Sequence, residues 1–205
     1  MSVRHGYGND VELSRDVAET ILRKRFPFGE VASLKPCRGG GISTVYEVLC
    51  SRPDQRFILK VYPESFHWKM EKEVYVYSLL ERTKHLSIPS IVLWDDSRRV
   101  VPQNYLLMTK LEGQLLSEVA PSLSTEQLRN IYREMGMLLA RFHAVTFDVF
   151  GYLTTGVIDS HPTNAAYMRF QFEKKLKEFA AFGGERSLGR ALAEIVTKKG
   201  TVLDE

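Results

Sequence analysis

Cysteine is scarce in this 205-residue chain, with Cys37 and Cys50 the only two. A single pair gives neither a disulfide framework nor the ligand spacing of a zinc site, so the fold has to close on hydrophobic packing. The two flank an expected hairpin and could face each other, although in a reducing compartment they would stay thiols. An excess of one charge sign is lacking as well. The 28 lysines and arginines meet 25 aspartates and glutamates, for a net +3. So small and scattered an excess does not argue for nucleic acid or an anionic membrane surface. Its densest cluster, Arg23-Lys24-Arg25, closes an expected helix and reads as a solvated helix end. No apolar run is long enough to span a bilayer. Arg4, Asp10, Glu12, Arg15 and Asp16 interrupt the N-terminal region where a signal peptide would be apolar, so a soluble cytoplasmic protein is expected. Internal repeats and low-complexity tracts are absent too.

What the chain does have is ordinary globular material, 44% hydrophobic and 26% charged, enough for one large core or two smaller ones. Residues 1 to 9 read as a loose terminus. Asn9 followed by Glu12 reads as a helix start, with Val11, Val17, Ala18, Ile21 and Leu22 as its apolar stripe and Pro27 and Gly29 as its stop. From residue 33 the period changes to two. Thr44 to Leu49 and Phe57 to Tyr62 read as strands joined by a turn over Ser51 to Gln55. Residues 64 to 84 return to helix, and two short strands follow at Ile88 to Trp94 and Tyr105 to Met108. The expected order is β-β-β-α-β-β, a mostly antiparallel sheet with one inserted helix. After Gly113 the pattern reads as helical to the end. Ser124 and Gln127 form a capping box, followed by a stripe through Leu128, Ile131, Tyr132, Met135, Leu138, Leu139, Phe142 and Val145 that marks a buried scaffold helix. Further helices are expected around 164 to 182 and 185 to 199. This divides the chain into an N-terminal helical extension (1–29), a sheet-bearing lobe with its hinge (30–113) and a helical lobe (114–205).

Three features carry chemistry. Gly39, Gly40 and Gly41, followed by Ser43, sit between two strands, where backbone N–H groups could approach phosphate oxygens unobstructed. A plain glycine-rich turn is the bland alternative. Lys60 lies in the middle of an apolar strand, with Ile58 and Tyr62 on its face and Phe57, Leu59 and Val61 on the other. An unpaired charge there is costly, so a partner is expected. Phe66, Met70, Glu73, Tyr77 and Leu80 recur at steps of four and three along the next helix, and Glu73 alone among them is charged. A Lys60–Glu73 ion pair follows from the two periodicities. Glu71 and Glu81 fall off this line and read as surface acids.

A glycine-rich hairpin, a strand lysine and a helix glutamate in that order resemble the nucleotide lobe of the protein-kinase-like fold. The details look more like its small-molecule branch, the aminoglycoside phosphotransferases. Gly40-Gly41-Ile42-Ser43-Thr44 is similar to the Gly-Gly-x-Ser-Asn start of that family's loop, with Thr44 in place of Asn. Phe57 to Val61 resembles its lysine strand, and Ile88-Pro89-Ser90-Ile91 its Val-Pro-x-Pro segment. Leu107-Met108-Thr109 through Gly113 resembles its hinge, with Thr109 in place of Glu. Leu139-Ala140-Arg141-Phe142-His143 and Phe150-Gly151 resemble later markers. The resemblance covers roughly residues 30 to 155. It implies an α+β fold with a five-stranded antiparallel lobe, one inserted helix and an incomplete helical lobe. It also implies ATP or GTP with magnesium as cofactors of the full-length protein. Gly39 to Ser43 would cover the phosphates and Lys60, held by Glu73, would bind them. Val45 and Ile58 would pack on the base, Met108 would back the pocket, and the Thr109 carbonyl and Leu111 amide would meet the base edge. His143 would be structural.

A transferase of this fold also needs a His-x-Asp-x-x-x-x-Asn loop and a second metal-binding Asp. Asp159-Ser160-His161-Pro162-Thr163-Asn164 imitates the loop, with Val157 in the place of its leading His. Asn164 then opens a helical pattern rather than an apolar strand, so Asp159 and Asn164 are expected not to form a metal site. The reading is an ATP-dependent O-phosphotransferase of a small hydroxylated molecule, present as a fragment without its catalytic loop. The competing reading is a non-catalytic nucleotide-binding module. In both, the partners are a nucleotide or other small molecule, and neither nucleic acid nor membrane is expected.

Overall fold

The computed structural model describes residues 12–37, 41–83, 86–200 and 202. The chain forms two compact units, Met1–Val145 and Thr146–Glu205.

The first unit opens with helix α1 (Arg15–Arg23). Its cap is Ser14, whose side chain accepts a hydrogen bond from the Val17 amide. The start expected at Asn9 and the stripe residue Val11 lie outside the described residues, and Glu12 lies before the helix rather than in its first turn. Ser14 has no Glu or Gln three residues on and so carries only half of the capping-box signature, which makes Asn9 the stronger signal in sequence alone. Five strands follow in two groups: β1 (Glu30–Pro36), β2 (Thr44–Arg52) and β3 (Asp54–Tyr62), then β4 (Ile91–Asp95) and β5 (Asn104–Thr109). Helix α2 (His67–Leu80) is inserted between β3 and β4. The sheet order is β1-β2-β3-β5-β4, antiparallel throughout. This is the expected five-stranded sheet with one inserted helix.

Alternation along β3 divides the packing between the two faces of the sheet. Phe57, Leu59 and Val61 point toward α1 and join Ala18, Ile21, Leu22, Val31 and Val48 in the larger core, all nearly inaccessible. Ile58 and Tyr62 point the other way, into a smaller cluster with Met70, Leu106 and Met108 under α2. Gly29 lets the chain leave α1 tightly, since a Cβ there would come within 2.8 Å of the Leu22 side chain and 2.9 Å of the Phe26 carbonyl. The two cysteines do not face each other. Cys50 pairs with Val31 and is buried, whereas Cys37 is exposed near the other end of the β1–β2 ladder, its amide bonded to the Val45 carbonyl. Burial pushes the Cys50 thiol up to about 11.

Beyond β5 come a short helix α3 (Leu116–Val119), a 3-10 turn and the long helix α4 (Thr125–His143). The Ser124–Gln127 capping box is present in both directions. The stripe, however, is not buried. No residue of α4 is inaccessible, and Tyr132, Met135 and Leu139 are each half exposed or more. The second unit begins with a hairpin, β6 (Phe150–Leu153) and β7 (Val157–His161), followed by α5 (Asn164–Ala181) and α6 (Arg186–Lys199). Both helices match the sequence pattern, but the hairpin interrupts what reads in sequence as continuous helix. Four- and five-residue strands are too short for their alternation to stand out. Gly151 is the clearer trace of the hairpin, because a Cβ there would lie 2.5 Å from the Ile158 carbonyl of the facing strand. Among the described residues no helix is long and apolar enough to cross a membrane.

One contact ties α1 to the far edge strand. Lys24 donates to Asp95, which also accepts from the Ser97 hydroxyl and amide. Desolvation by itself pushes the Asp95 carboxyl up. The bonds from Lys24 and Ser97 outweigh it and hold the group at about 2, below its ordinary 3.8. A depressed carboxylate pKa stabilises the fold above the unfolded value and loses that contribution as pH falls through the folded one. Asp95→Asn should therefore lower the urea midpoint at pH 6, and its deficit against the parent should shrink between about pH 4 and pH 2. A deficit that stays constant down to pH 2 would contradict a stabilising role for the ionised Asp95.

Candidate nucleotide site

Lys60 projects from β3 on the α2 face and meets Glu73, which lies one turn after the buried Met70. Its Nζ lies 2.6 Å from both carboxylate oxygens of Glu73. Both side chains are about a fifth exposed, so the pair is screened less than a surface bridge yet stays open to a ligand. Tyr62 completes the arrangement. It lies two residues beyond Lys60 on the same face, is 2% exposed, and donates its hydroxyl to Glu73 Oε2. Its ring centroid is 5.4 Å from Lys60 Nζ, within reach of a cation–π contact. Burial, reinforced by the Glu73 bond, pushes the Tyr62 hydroxyl well above its ordinary value. Glu73 is held from two sides, and Lys60 with it.

The strand register sets out the rest of the face. Val45 lies opposite Lys60, which in turn lies opposite Leu106; Glu47 lies opposite Ile58, which lies opposite Met108. Directly opposed residues share a face, so Val45, Ile58, Lys60 and Met108 line one surface. Gly41 and Ser43 sit in the bend that leads into β2, and a Cβ at Gly41 would meet nothing within 4 Å. Gly39 and Gly40, with Arg38, lie outside the described residues. At the outer end Lys110 Nζ reaches Glu47 Oε1 at 2.8 Å, a link from β2 to the segment after β5. Lys110 draws the Glu47 carboxyl below its ordinary value.

Backbone direction after β5 follows the same alternation. The Lys110 amide donates to the Arg56 carbonyl across to β3 at 3.1 Å, and the Thr109 amide donates the opposite way, to the Ser90 carbonyl at 2.9 Å. Across one planar trans peptide the Thr109 carbonyl lies opposite the Lys110 amide, so it points away from β3, beyond the end of β4 at Ile91. Leu111 is about half exposed.

Sequence reasoning missed Tyr62 as a partner of Glu73, although its place two residues from Lys60 in β3 was a sufficient signal. It also missed the Glu47–Lys110 bridge, which needs the three-strand register and has no local signature. Asp159 and Asn164 belong to the second unit. Asp159 has a left-handed backbone (φ +50°), and Lys174 lies 3.4 Å from its carboxylate. Asn164 is the first residue of α5, capped by Thr163, whose hydroxyl accepts from the Ala166 amide. His143 ends α4. Among the described residues no three His, Cys, Asp or Glu side chains gather where they could hold a metal ion.

An antiparallel five-stranded sheet, with a lysine on its central strand paired to a glutamate on an inserted helix, defines a protein of the kinase-like phosphotransferase class. The chain belongs to the phosphotransferase enzyme family, whose model matches residues 33–194. No curated protein matches it. Among solved structures it is similar to a candidate aminoglycoside phosphotransferase from Ralstonia eutropha JMP134. The two share 20% identity and a TM-score of 0.58, over 83% of this chain and 48% of the other. It is also similar to a candidate fructosamine-3-kinase from Haemophilus somnus 129PT, with 15% identity and a TM-score of 0.56, over 89% of this chain and 61% of the other. The chain thus spans about half to three fifths of the length of these structures, and the likeness concerns the fold.

Removing the acceptor should cost more than removing one donor. Glu73→Ala leaves both Lys60 and the Tyr62 hydroxyl without their partner, and urea unfolding should show a loss of about 2–3 kcal/mol. Tyr62→Phe keeps the ring and should cost about 1–2 kcal/mol. Equal, negligible losses would mean that the three groups do not act together.

Proposed function

We propose that the first unit is a nucleotide-binding lobe and that the whole protein is an ATP-dependent O-phosphotransferase acting on a small hydroxylated molecule. The observation that carries this reading is the Lys60–Glu73 pair on the face that Val45, Ile58 and Met108 also line. A cation fixed beside an apolar surface suits the two ends of a nucleotide. Ile58, Val45 and Met108 take the flat base, Lys60 takes the α- and β-phosphates, and the Thr109 carbonyl and Leu111 amide meet the base edge. Gly39, Gly40, Gly41 and Ser43 belong to the phosphate end in this reading. Magnesium is expected with the nucleotide. In this reading the chain's own contribution to phosphate binding runs through Lys60 and backbone groups. An aminoglycoside, a macrolide or a hydroxylated metabolite would each serve as acceptor in this reading.

A second reading, nucleotide binding without transfer by the 205-residue chain, draws support from the placement of Asp159 beside Lys174 and of Asn164 in a helix. Two measurements test these readings. Calorimetry should show ATP or GTP binding to the chain, and Lys60→Met should weaken it about ten- to a hundredfold while leaving adenosine affinity unchanged. A phosphotransfer assay over a panel of hydroxylated acceptors should show no turnover by this chain. Turnover abolished by Asp159→Ala would make Asp159 catalytic and discard the second reading. Equal weakening of ATP and adenosine by Lys60→Met would discard the phosphate role of Lys60.

A further inference from the structure

Ser90 and Thr109 face each other where β4 gives out beside the end of β5. In an antiparallel ladder, two residues at such a position exchange both backbone bonds, each amide donating to the other's carbonyl. Here one of the two is formed normally, the Thr109 amide donating to the Ser90 carbonyl at 2.9 Å. The return bond goes elsewhere. The Ser90 amide donates to Thr109 Oγ1, also at 2.9 Å, and not to the Thr109 carbonyl. A side-chain hydroxyl has replaced a carbonyl as the ladder acceptor.

The consequence falls on the Thr109 carbonyl. It points away from β3, because the neighbouring Lys110 amide is the group turned toward Arg56. With Ser90 satisfied by the hydroxyl, this oxygen keeps its acceptor capacity at the edge of the apolar face. An acceptor in that position suits the 6-amino group of adenine. A 6-oxo purine would place an acceptor against the carbonyl and leave both oxygens without a proton between them.

We propose that the Thr109 hydroxyl is a positioning group of the base site: by taking the Ser90 amide it keeps the Thr109 carbonyl available to the 6-amino group of adenine, and so favours adenine over 6-oxo purines. The inference rests on the nucleotide-binding reading above and adds to it the choice of base. Without the hydroxyl, the Ser90 amide turns to the carbonyl, which it then shares with the ligand.

The test compares ATP with purine riboside triphosphate, which lacks only the 6-amino group, by calorimetry on the full 205-residue chain. The parent should prefer ATP by about five- to tenfold, the worth of one neutral hydrogen bond. Thr109→Val should lose most of that preference by weakening ATP alone, and Thr109→Ser, which keeps the hydroxyl, should retain it. Thr109→Ala serves in place of the valine variant if that one does not fold. A variant that weakens both nucleotides equally, or keeps the ATP preference in full, overturns the inference while leaving nucleotide binding intact. A folded parent that binds neither nucleotide overturns the nucleotide reading and this inference with it.

Discussion

A charge in the middle of an apolar strand has to be answered, and in this protein the answer organises the lobe. Lys60 stands between two strands whose other face is the main core, so it cannot turn inward without losing its hydration. Glu73 meets it from α2, and Tyr62 meets Glu73 from β3 itself. The three side chains pin one face of the inserted helix to the central strand, with Met70 and Tyr77 packed in the apolar cluster beneath it. An ion pair replaced by apolar residues would serve stability as well or better. Here the pair leaves a cation fixed at a partly open surface.

The two faces of the sheet accordingly do different work. The α1 side is sealed by Phe57, Leu59, Val61 and the apolar residues packed on them. The α2 side keeps its apolar material near Met70 and Met108 and spreads its polar groups around it: Lys60 and Glu73 at one end, Glu47 and Lys110 at the other. At the edge, the bonding between Ser90 and Thr109 ends the β4–β5 ladder by a side chain. Rigidity on one face and directed, partly exposed polarity on the other is the arrangement expected of a ligand-bearing lobe.

Much of this was legible from spacing. Period two placed Lys60 opposite the core residues of β3, and period 3.6 placed Glu73 in line with Met70 and Tyr77, so their meeting needed no coordinates. The order of the five strands and the inserted helix followed from the same two periods. The misses share a cause, which is that they depend on tertiary context. The α4 stripe has helical spacing, yet no residue of that helix is buried, because a pattern shows which side seeks cover and not whether cover is present. The β6–β7 hairpin consists of strands too short to display alternation. Glu47 and Lys110 are 63 residues apart and join only through the register of three strands. The hydroxyl bond of Thr109 depends on where β4 stops.

The central claim is that Lys60, held by Glu73, is the phosphate-binding cation of this lobe. An ATP derivative bearing an acyl group on its terminal phosphate transfers that group to an amine lying beside the phosphates, and mass spectrometry locates the amine. Acylation is predicted at Lys60 above every other lysine, suppressed by excess ATP and not by adenosine. Acylation spread over surface lysines, or a Lys60 signal indifferent to ATP, would contradict it.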